Sequence, residues 1–545
     1  MNGILQVFYI IFSALLLSAG IPNEILYLGS PFLGLFALVP FYLALRSART
    51  FRRAGLLTGL HFGLMQLLSS FWLGNFKDFA IFTVGGPTIA YAIEGLIFGR
   101  FFHAALAFLD YTPEEAKLQD ASFRGAGKTL KRVFFFAAIY SIWEWTKSVG
   151  FLAYPWGTLI MTSFQSKLLI QIVDITGTWA ISFLWSLFAA TLAEGIALYS
   201  IYQPRLNYLV KRMYFCIVMI TFSLFVLDFI YGAVQYTKPR VIAKTADIAV
   251  IQHNTDTWSE DGDSESVLAA QRMTAKAMLE PVKPDLVCWS ESILNYAFPD
   301  SYFYYETSPA KKPFIHFIKA TGVPYATGAP LYFIENGQQK FYNGVVVFDK
   351  NAVITGMSGK IHLVPFAEYV PLMDKAWFRK IMDALVGFST GWSQWKQYAV
   401  YSVPLKTGDS LNFSVPICFE DAFPDICRNF YNLGAEALLS ISNDSWSNLK
   451  SAEYQHFVIA AFRAIELRTT LVRTTNSGYS GAVDARGRII ADLPLFEEAE
   501  MVTTIPVYEH KPTAYAVFGD WIVILFGLIC ALYFADCAAA TYKKH

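Results

Sequence analysis

Apolar residues crowd the first 235 positions and the C-terminal end of the chain, and thin to short runs between them. A helix that crosses the hydrocarbon core of a bilayer needs about 20 mostly apolar residues. By that measure eight stretches predict spans: residues 4–19, 25–45, 55–74, 88–109, 133–145, 168–198, 213–233 and 516–538. The fifth is short and the sixth long for a single crossing. From Ala246 onward the period changes: short β-branched runs alternate with helix-length segments. Strands are predicted at 246–251, 285–289, 345–349, 352–356, 412–417, 435–440, 470–473, 481–484 and 488–491, and helices at 265–280 and 452–468. The pairs around Lys350-Asn351 and Ala485-Arg486-Gly487 read as hairpins. Such alternation predicts an α/β fold with helices covering sheets. The organisation expected is a transmembrane part over 1–235, an α/β domain over 236–510, and a last span with a tail over 511–545.

Composition agrees with this division. Only 16% of the 545 residues are charged and 54% are hydrophobic, whereas soluble domains carry about 25% charge; mean hydropathy is +0.38. Basic and acidic residues balance at 43 each, which gives no electrostatic reason to expect a nucleic-acid partner. None of the six cysteines forms a CxxC pair, so no zinc or redox motif is indicated. A Cys288–Cys427 disulfide is left open.

The loops predict orientation. Arg46, Arg49, Arg52 and Arg53 lie in the second loop, Lys117, Arg124, Lys128, Lys131 and Arg132 in the fourth, and Arg205, Lys211 and Arg212 in the sixth; the tail carries Lys543-Lys544. The alternate loops are poor in base, with Pro22-Asn23-Glu24 in one and Lys77 nearly alone in another. Positive loops stay in the cytoplasm, so both termini are expected there and the α/β domain on the far face. The first stretch lacks a basic leader and is read as a span rather than a signal peptide. His61, Glu94, Arg100, His103, Asp174 and Asp228 fall inside predicted spans. Pairing within the bundle, or a place near an interface, is the reading taken for them, since no helix repeats them as a transporter's would.

Three segments of the α/β part end apolar or turn-bounded runs in reactive residues: Cys288 to Ser292, Lys360 to Glu368, and Pro416 to Asp421. Strand ends are where such scaffolds display chemistry. The Cys418 thiol needs a base or a nearby cation to act as a nucleophile. Glu291 can take its proton, and Lys360 can stabilise the thiolate and an oxyanion. A second carboxylate, Glu368 or Glu420, can hold the lysine or an incoming amine. Singly, each of these residues reads as a packed cysteine, a loop carboxylate or a surface lysine.

Together, Trp289-Ser290-Glu291-Ser292, Tyr342-Asn343, KIHLVPFAEYVP from Lys360 to Pro371, Ile417-Cys418-Phe419-Glu420, SISNDSW from Ser440 to Trp446, and the run from His456 to Asn476 resemble the carbon–nitrogen hydrolase (nitrilase) superfamily. Within it they resemble the bacterial apolipoprotein N-acyltransferase family, whose Pro-Trp loop is similar to Tyr154-Pro155-Trp156. The resemblance implies an α-β-β-α sandwich, with Cys418 as nucleophile, Glu291 as general base and Lys360 as stabiliser of the oxyanion. It implies Glu368 as a further essential carboxylate, Asn343 in the substrate pocket, and supporting places for Glu420, Phe419 and Trp446. Phe419 stands where the family often has Tyr, and Ser447 where a bulky aromatic is common. The implied reaction carries an acyl chain from a membrane phospholipid, through a cysteine thioester, to the N-terminal amine of a diacylglyceryl-cysteine lipoprotein. No cofactor or metal is implied, nothing demands more than a monomer, and the implied location is the bacterial inner membrane with the catalytic domain on its outer face. A membrane-tethered amidase that passes the acyl group to water is the alternative. The aromatic segments 296–305 and 377–395 are expected to be mobile arms that dip toward lipid at the mouth of the site.

Overall fold

The computed structural model describes residues 1–75, 80–107, 121–202, 208–256, 259, 261–370, 375–377, 379–380 and 391–542. Of the loop cations above, Lys77, Lys117, Arg205, Lys543 and Lys544 lie outside these residues. The chain divides into two compact units, Met1–Lys238 with Phe518–His545, and Pro239–Val517.

The first unit is helical: α1 (Gly3–Gly20), α2 (Pro31–Arg46), α3 (Phe51–Ser69), α4 (Ala80–Ala107), α5 (Ala121–Thr146), α6 (Trp179–Tyr202), α7 (Tyr208–Thr237) and, after the second unit, a helix over Trp521–Tyr542. Side chains of Asn2, Ser30 and Thr50 accept the free amides that start α1, α2 and α3. The expectation of helix from residue 25 is corrected. The Asn23 side chain accepts from the amides of Ile25 and Leu26, turning the chain until Ser30 and Pro31 start α2. The long run 168–198 is likewise broken. Short turns occupy Leu169–Thr176, Gly177 adopts φ 63°, and the helix proper begins at Trp179. Four segments are long and apolar enough to cross a membrane: Gly3–Gly20, Ala80–Leu106, Trp179–Tyr199 and Tyr214–Thr237; Pro31–Arg46 and Trp521–Cys537 are shorter apolar helices. Large apolar side chains on their outer faces, Ile4, Ile81, Leu227 and Leu532 among them, are exposed, as a lipid-facing surface requires. α3 and α4 meet on small residues. A Cβ on Gly95 would sit 2.6 Å from the Gly59 Cα, an approach that only glycine permits.

Three of the six ionisable residues expected inside spans have hydrogen-bond partners. His61 meets Ser13 at 2.9 Å, Trp143 donates to Glu94 at 3.1 Å, and Tyr231 donates to Asp174 at 2.8 Å. His103 lies edge-on to Phe51, Arg100 is exposed, and the buried Asp228 carboxylate has no hydrogen-bond partner among the described residues. Two of the cations assigned to loops prove to be internal ties. Arg46 and the fully buried Arg132 both bind Glu194, at 2.9 Å each.

The second unit is an α/β sandwich. In chain order it contains β1 (Ile242–Gln252), α8 (Gly262–Ala277), β2 (Leu286–Trp289), α9 (Phe314–Thr321), β3 (Tyr325–Glu335), β4 (Gln338–Phe348), β5 (Ile354–Gly359), β6 (Tyr401–Pro404) and β7 (Ser410–Ser414). Then follow α10 (Pro424–Asn432), β8 (Ala437–Ser442), α11 (Lys450–Leu467), β9 (Thr470–Thr475), β10 (Gly481–Val483), β11 (Ile489–Asp492) and β12 (Ala499–Tyr508). One sheet has the order β12-β1-β2-β3-β4-β5 and the other β11-β10-β9-β8-β7-β6. In each, three neighbouring strands run parallel, β1-β2-β3 and β7-β8-β9, and the rest pair antiparallel.

Period-two alternation separates the layers. Ile248, Val250, Leu286 and Cys288 meet Phe413, Leu439, Ile441 and Val472 between the sheets. Their neighbours Ala249, Ile251, Val287 and Trp289 face outward onto Val267 and Met273 of α8 and Phe314 and Ile318 of α9. α10 and α11 pack on the other sheet, with α11 buried from Ser451 to Leu467. β3, β6, β12, α9 and α10 are elements that the local pattern did not single out. All six cysteines are free, Cys288 and Cys427 included.

The first aromatic segment is not an arm. Phe298 and Tyr305 stack at 5.5 Å and are wholly buried with Trp289, Phe314 and Phe348, and Tyr305 donates to Asp263 at 2.6 Å. Of the aromatic residues between 296 and 305, only Tyr296 and Phe303 are exposed. In the second segment Trp395 packs edge-on against Tyr342 and Trp377 is exposed. Phe378, Ile381, Met382, Leu385 and Phe388 lie outside the described residues.

Candidate active site

Four segments of the sandwich unit converge. Glu291 follows β2, Lys360 follows β5, Cys418 starts a 3-10 turn (Cys418–Ala422) beyond β7, and Asn443 follows β8. Each lies at the end of a strand, where the backbone leaves the ladder and a side chain can turn into a common space. Close approach at Glu291 requires glycine at 328, where a Cβ would stand 2.6 Å from the Glu291 Cα. Cys418 has φ 53°, a left-handed backbone that costs an ordinary residue about 1 kcal/mol or more and that surrounding structure must hold.

The carboxylate of Glu291 is held on both oxygens by neutral donors. Asn343 Nδ2 donates to Oε1 at 2.7 Å, and the Asn443 amide donates to Oε2 at 2.9 Å. The Cys418 thiol feels the charge of this carboxylate, and the Lys360 ammonium stands 3.6 Å from it. Lys360 is almost fully buried and donates to Glu368 Oε1 at 2.9 Å. Glu368 also accepts from Asn343 at 2.9 Å and from the Val364 amide at 2.8 Å. Asn343 therefore joins the two carboxylates that flank the lysine.

Glu420 has a different place. Its Oε1 accepts from the amides of Ile361 and His362, at 2.5 and 3.0 Å, and its Oε2 from the Ile417 amide at 2.8 Å. It ties the segment after Lys360 to the segment before Cys418 by main-chain hydrogen bonds, while Glu368 is the carboxylate that binds the lysine. Phe419 is buried in a cluster with His362 and Phe423. Trp446 is half-buried, three residues beyond Asn443.

The electrostatics follow from burial. Burial and then the Glu291 charge push the Cys418 thiol well above its usual range, against the Lys360 charge. The resting group is a protonated thiol. Burial likewise lifts Glu291, opposed by Lys360 and Asn343. Burial opposes the Lys360 charge, but Glu368, the Cys418 sulfur and Glu291 outweigh it and hold the lysine well above its ordinary value. Burial raises Glu420 to about 7 despite its three amide donors and Lys360. A thiol, a carboxylate with raised proton affinity and a permanent cation can together perform nucleophilic acyl chemistry with the carboxylate as base. Among the described residues no group of three or more His, Cys, Asp or Glu side chains is arranged to hold a metal ion.

Local sequence reading gave no role to several of these groups. The Asn443 amide is backbone and leaves no side-chain signal. Ser442, Asp421, Asp444, His456 and Arg473 stood inside the motif blocks without assigned roles. Their signal was charge embedded in buried elements, as with Arg473 inside the fully buried β9.

Comparisons with known proteins cover both units. The family model described as carbon–nitrogen hydrolase matches residues 247–515, and that described as apolipoprotein N-acyltransferase N-terminal domain matches residues 13–191. Apolipoprotein N-acyltransferase 2 of Treponema denticola is 42% identical over 97% of this chain and 97% of its own. The corresponding values are 36%, 95% and 92% for apolipoprotein N-acyltransferase 2 of Treponema pallidum. They are 32%, 96% and 94% for apolipoprotein N-acyltransferase of Borreliella burgdorferi.

Proposed function

The chain belongs to the apolipoprotein N-acyltransferases, bacterial membrane acyltransferases with a carbon–nitrogen hydrolase domain, and from that premise we propose that Cys418 carries the acyl group between two lipid substrates. The donor is a phospholipid and the acceptor the N-terminal amine of a diacylglyceryl-cysteine lipoprotein. The observation that carries this reading is the Glu291 carboxylate, fixed by Asn343 and the Asn443 amide, with Lys360 3.6 Å away and its charge acting on the Cys418 thiol.

In the first half-reaction Glu291 takes the thiol proton as the sulfur attacks the ester carbonyl. The Lys360 ammonium faces the oxyanion, and Glu368 keeps that lysine oriented. Collapse breaks the ester C–O bond. The departing lysophospholipid oxygen takes the proton back from Glu291, which leaves a thioester on Cys418. In the second, the lipoprotein amine attacks the thioester, Glu291 accepts a proton from nitrogen, and the sulfur leaves as a thiol after receiving it. Eight spans, a catalytic segment over 236–510 outside the cytoplasm, both termini within it, and action as a single chain complete the proposal. Donor and acceptor are both membrane-anchored, which gives a catalytic sandwich a reason to be joined to spans at each end.

Incubation of the protein with phospholipid alone is expected to add one acyl mass to the peptide that contains Cys418. Later addition of a diacylglyceryl-cysteine peptide should discharge that mass as a triacylated product. Discharge to free fatty acid with no triacylated peptide would establish the amidase alternative instead. Failure of any acyl group to reach Cys418 would overturn both.

A further inference from the structure

Beneath the site lies a buried ionic cluster that the mechanism above does not use. Asp421 sits on the Cys418 turn, and Asp444 follows the residue whose amide holds Glu291. A single imidazole, His456 of α11, spans them. Its Nε2 is 2.9 Å from Asp421 Oδ1, and its Nδ1 is 3.1 and 3.0 Å from the two oxygens of Asp444. Arg473 of β9 reaches the same pair, with Nε 3.0 Å from Asp421 and Nη2 3.6 Å from Asp444. Ser440 and Ser442 donate to Asp421 and Asp444 at 2.7 and 3.1 Å.

We propose that His456 is a positioning residue that, as an imidazolium, fixes the nucleophile turn and the Asn443 amide together, so that thiol and base are set by one bridge. The proposal rests on the acyl-transfer reading for its reaction and on geometry for its role. A neutral imidazole has one N–H; facing two carboxylates, it would set a lone pair against one of them. The charged ring donates to both. The groups facing it are Asp421, Asp444 and Arg473, together with Glu453 on its own helix, whose carboxyl burial and Asp444 push well above the ordinary range. With Glu453 protonated, two carboxylates balance two cations, and loss of the imidazolium proton leaves one buried negative charge uncompensated. Burial works against that proton, but Asp444 and Asp421 overcome both burial and Arg473 and raise His456 to about 9. Lys360, held well above its ordinary value, does not titrate in that window.

The test compares wild type with His456→Asn and His456→Gln, each of which keeps an amide toward only one of the two aspartates. Three rates are followed from pH 6 to 10: acyl-enzyme formation from phospholipid, alkylation of Cys418 by iodoacetamide, and thermal unfolding. The variants are expected to lose about 10²-fold in kcat for acylation, as a misplacement of about 1 Å does, with KM within about twofold. The wild-type rate should turn down near pH 9, and the variants should lack that limb. Variants with wild-type kcat and a wild-type pH profile would overturn the proposal. So would a variant whose kcat falls while the limb near pH 9 persists, since that limb would not belong to His456. If neither variant folds, the wild-type profile decides: no downturn near pH 9 rejects the imidazolium. Alkylation needs no acyl donor. Slower alkylation in the variants, with no acylation in any protein, would keep His456 as the bridge and reject the acyl-transfer reading instead.

Discussion

Glu194 in the helical unit and Glu291 in the sandwich are both buried carboxylates, and they are satisfied in opposite ways. Glu194 is bound by Arg46 at 2.9 Å, by Arg132 at 2.9 and 3.0 Å, and by the Tyr42 hydroxyl at 2.5 Å. Both of its oxygens face cations, and its three partners come from α2 and α5. Glu291 is bound by an amide side chain and a main-chain N–H, and the cation nearest to it stands 3.6 Å away, pulled aside by Glu368. Direct ion pairing makes a carboxylate a poor base. Neutral hydrogen bonds in a buried place orient one and leave its proton affinity high. The first arrangement joins helices, and the second leaves a carboxylate able to exchange a proton with a thiol.

The largest way to break the comparison is at Glu291. Glu291→Gln keeps the shape and removes the proposed base. Acyl-enzyme formation is expected to fall by roughly 10³- to 10⁴-fold, toward the upper end of what a positioned base supplies, measured by intact mass against time with phospholipid. The variant is still expected to fold: glutamine keeps one of the two acceptors, loses the other toward Asn343 or the Asn443 amide, and sheds a charge that burial opposes. A fall of less than tenfold would mean that the thiol is activated without this residue.

At Glu194 the loss is expected in stability rather than chemistry. Glu194→Ala leaves Arg46 and Arg132 without their partner, and breaking a buried ion pair on one side costs about 3–5 kcal/mol. Unfolding in detergent should show a loss of that order, while the Cys418 alkylation rate stays near wild type at temperatures where both proteins are folded. A slowed alkylation with unchanged melting would reverse the roles assigned to the two carboxylates.

How far each carboxylate could be read in advance differed for a physical reason. The strands around Glu291, Lys360 and Cys418 alternate or run apolar, so their ends could be placed from local sequence. The residues could be gathered only through resemblance, since their side chains come from positions up to 127 residues apart. Glu194 carries the same mark as Asp174 and Asp228, a charge inside an apolar run, but that mark does not tell a tie between helices from a group near an interface. Its partners, Arg46 and Arg132, read as loop charges because sequence shows charge but not which way a side chain turns. The same limit explains the aromatic segment after Glu291. Phe298 and Tyr305 have the composition of a lipid-facing arm, yet α9 and β4 cover them, and no local pattern reports that cover. Glu420 stood beside Glu368 as a possible holder of the lysine, and only three-dimensional structure separates a carboxylate that binds an ammonium from one that binds main-chain amides.

Glu420 supplies the smallest and most discriminating effect, because it is a third kind of buried carboxylate, held by three amides with no close cation. Burial raises it from 4.5 to about 7. The folded state therefore holds this proton more tightly than the unfolded chain. The stabilisation that follows is complete below about pH 4.5 and is lost as pH rises through 7. The sign is opposite to that of a carboxylate whose pKa an ion pair depresses. The contribution is on the order of 3 kcal/mol, since a tenfold gain in proton affinity corresponds to about 1.4 kcal/mol. Unfolding free energies of wild type and Glu420→Gln, compared at several pH values between 4.5 and 8, should differ by an amount that moves against the wild type as pH rises. A difference that is flat, or that moves in the wild type's favour, would place Glu420 with the cation-bound carboxylates and require a closer tie to Lys360 than its amide contacts provide.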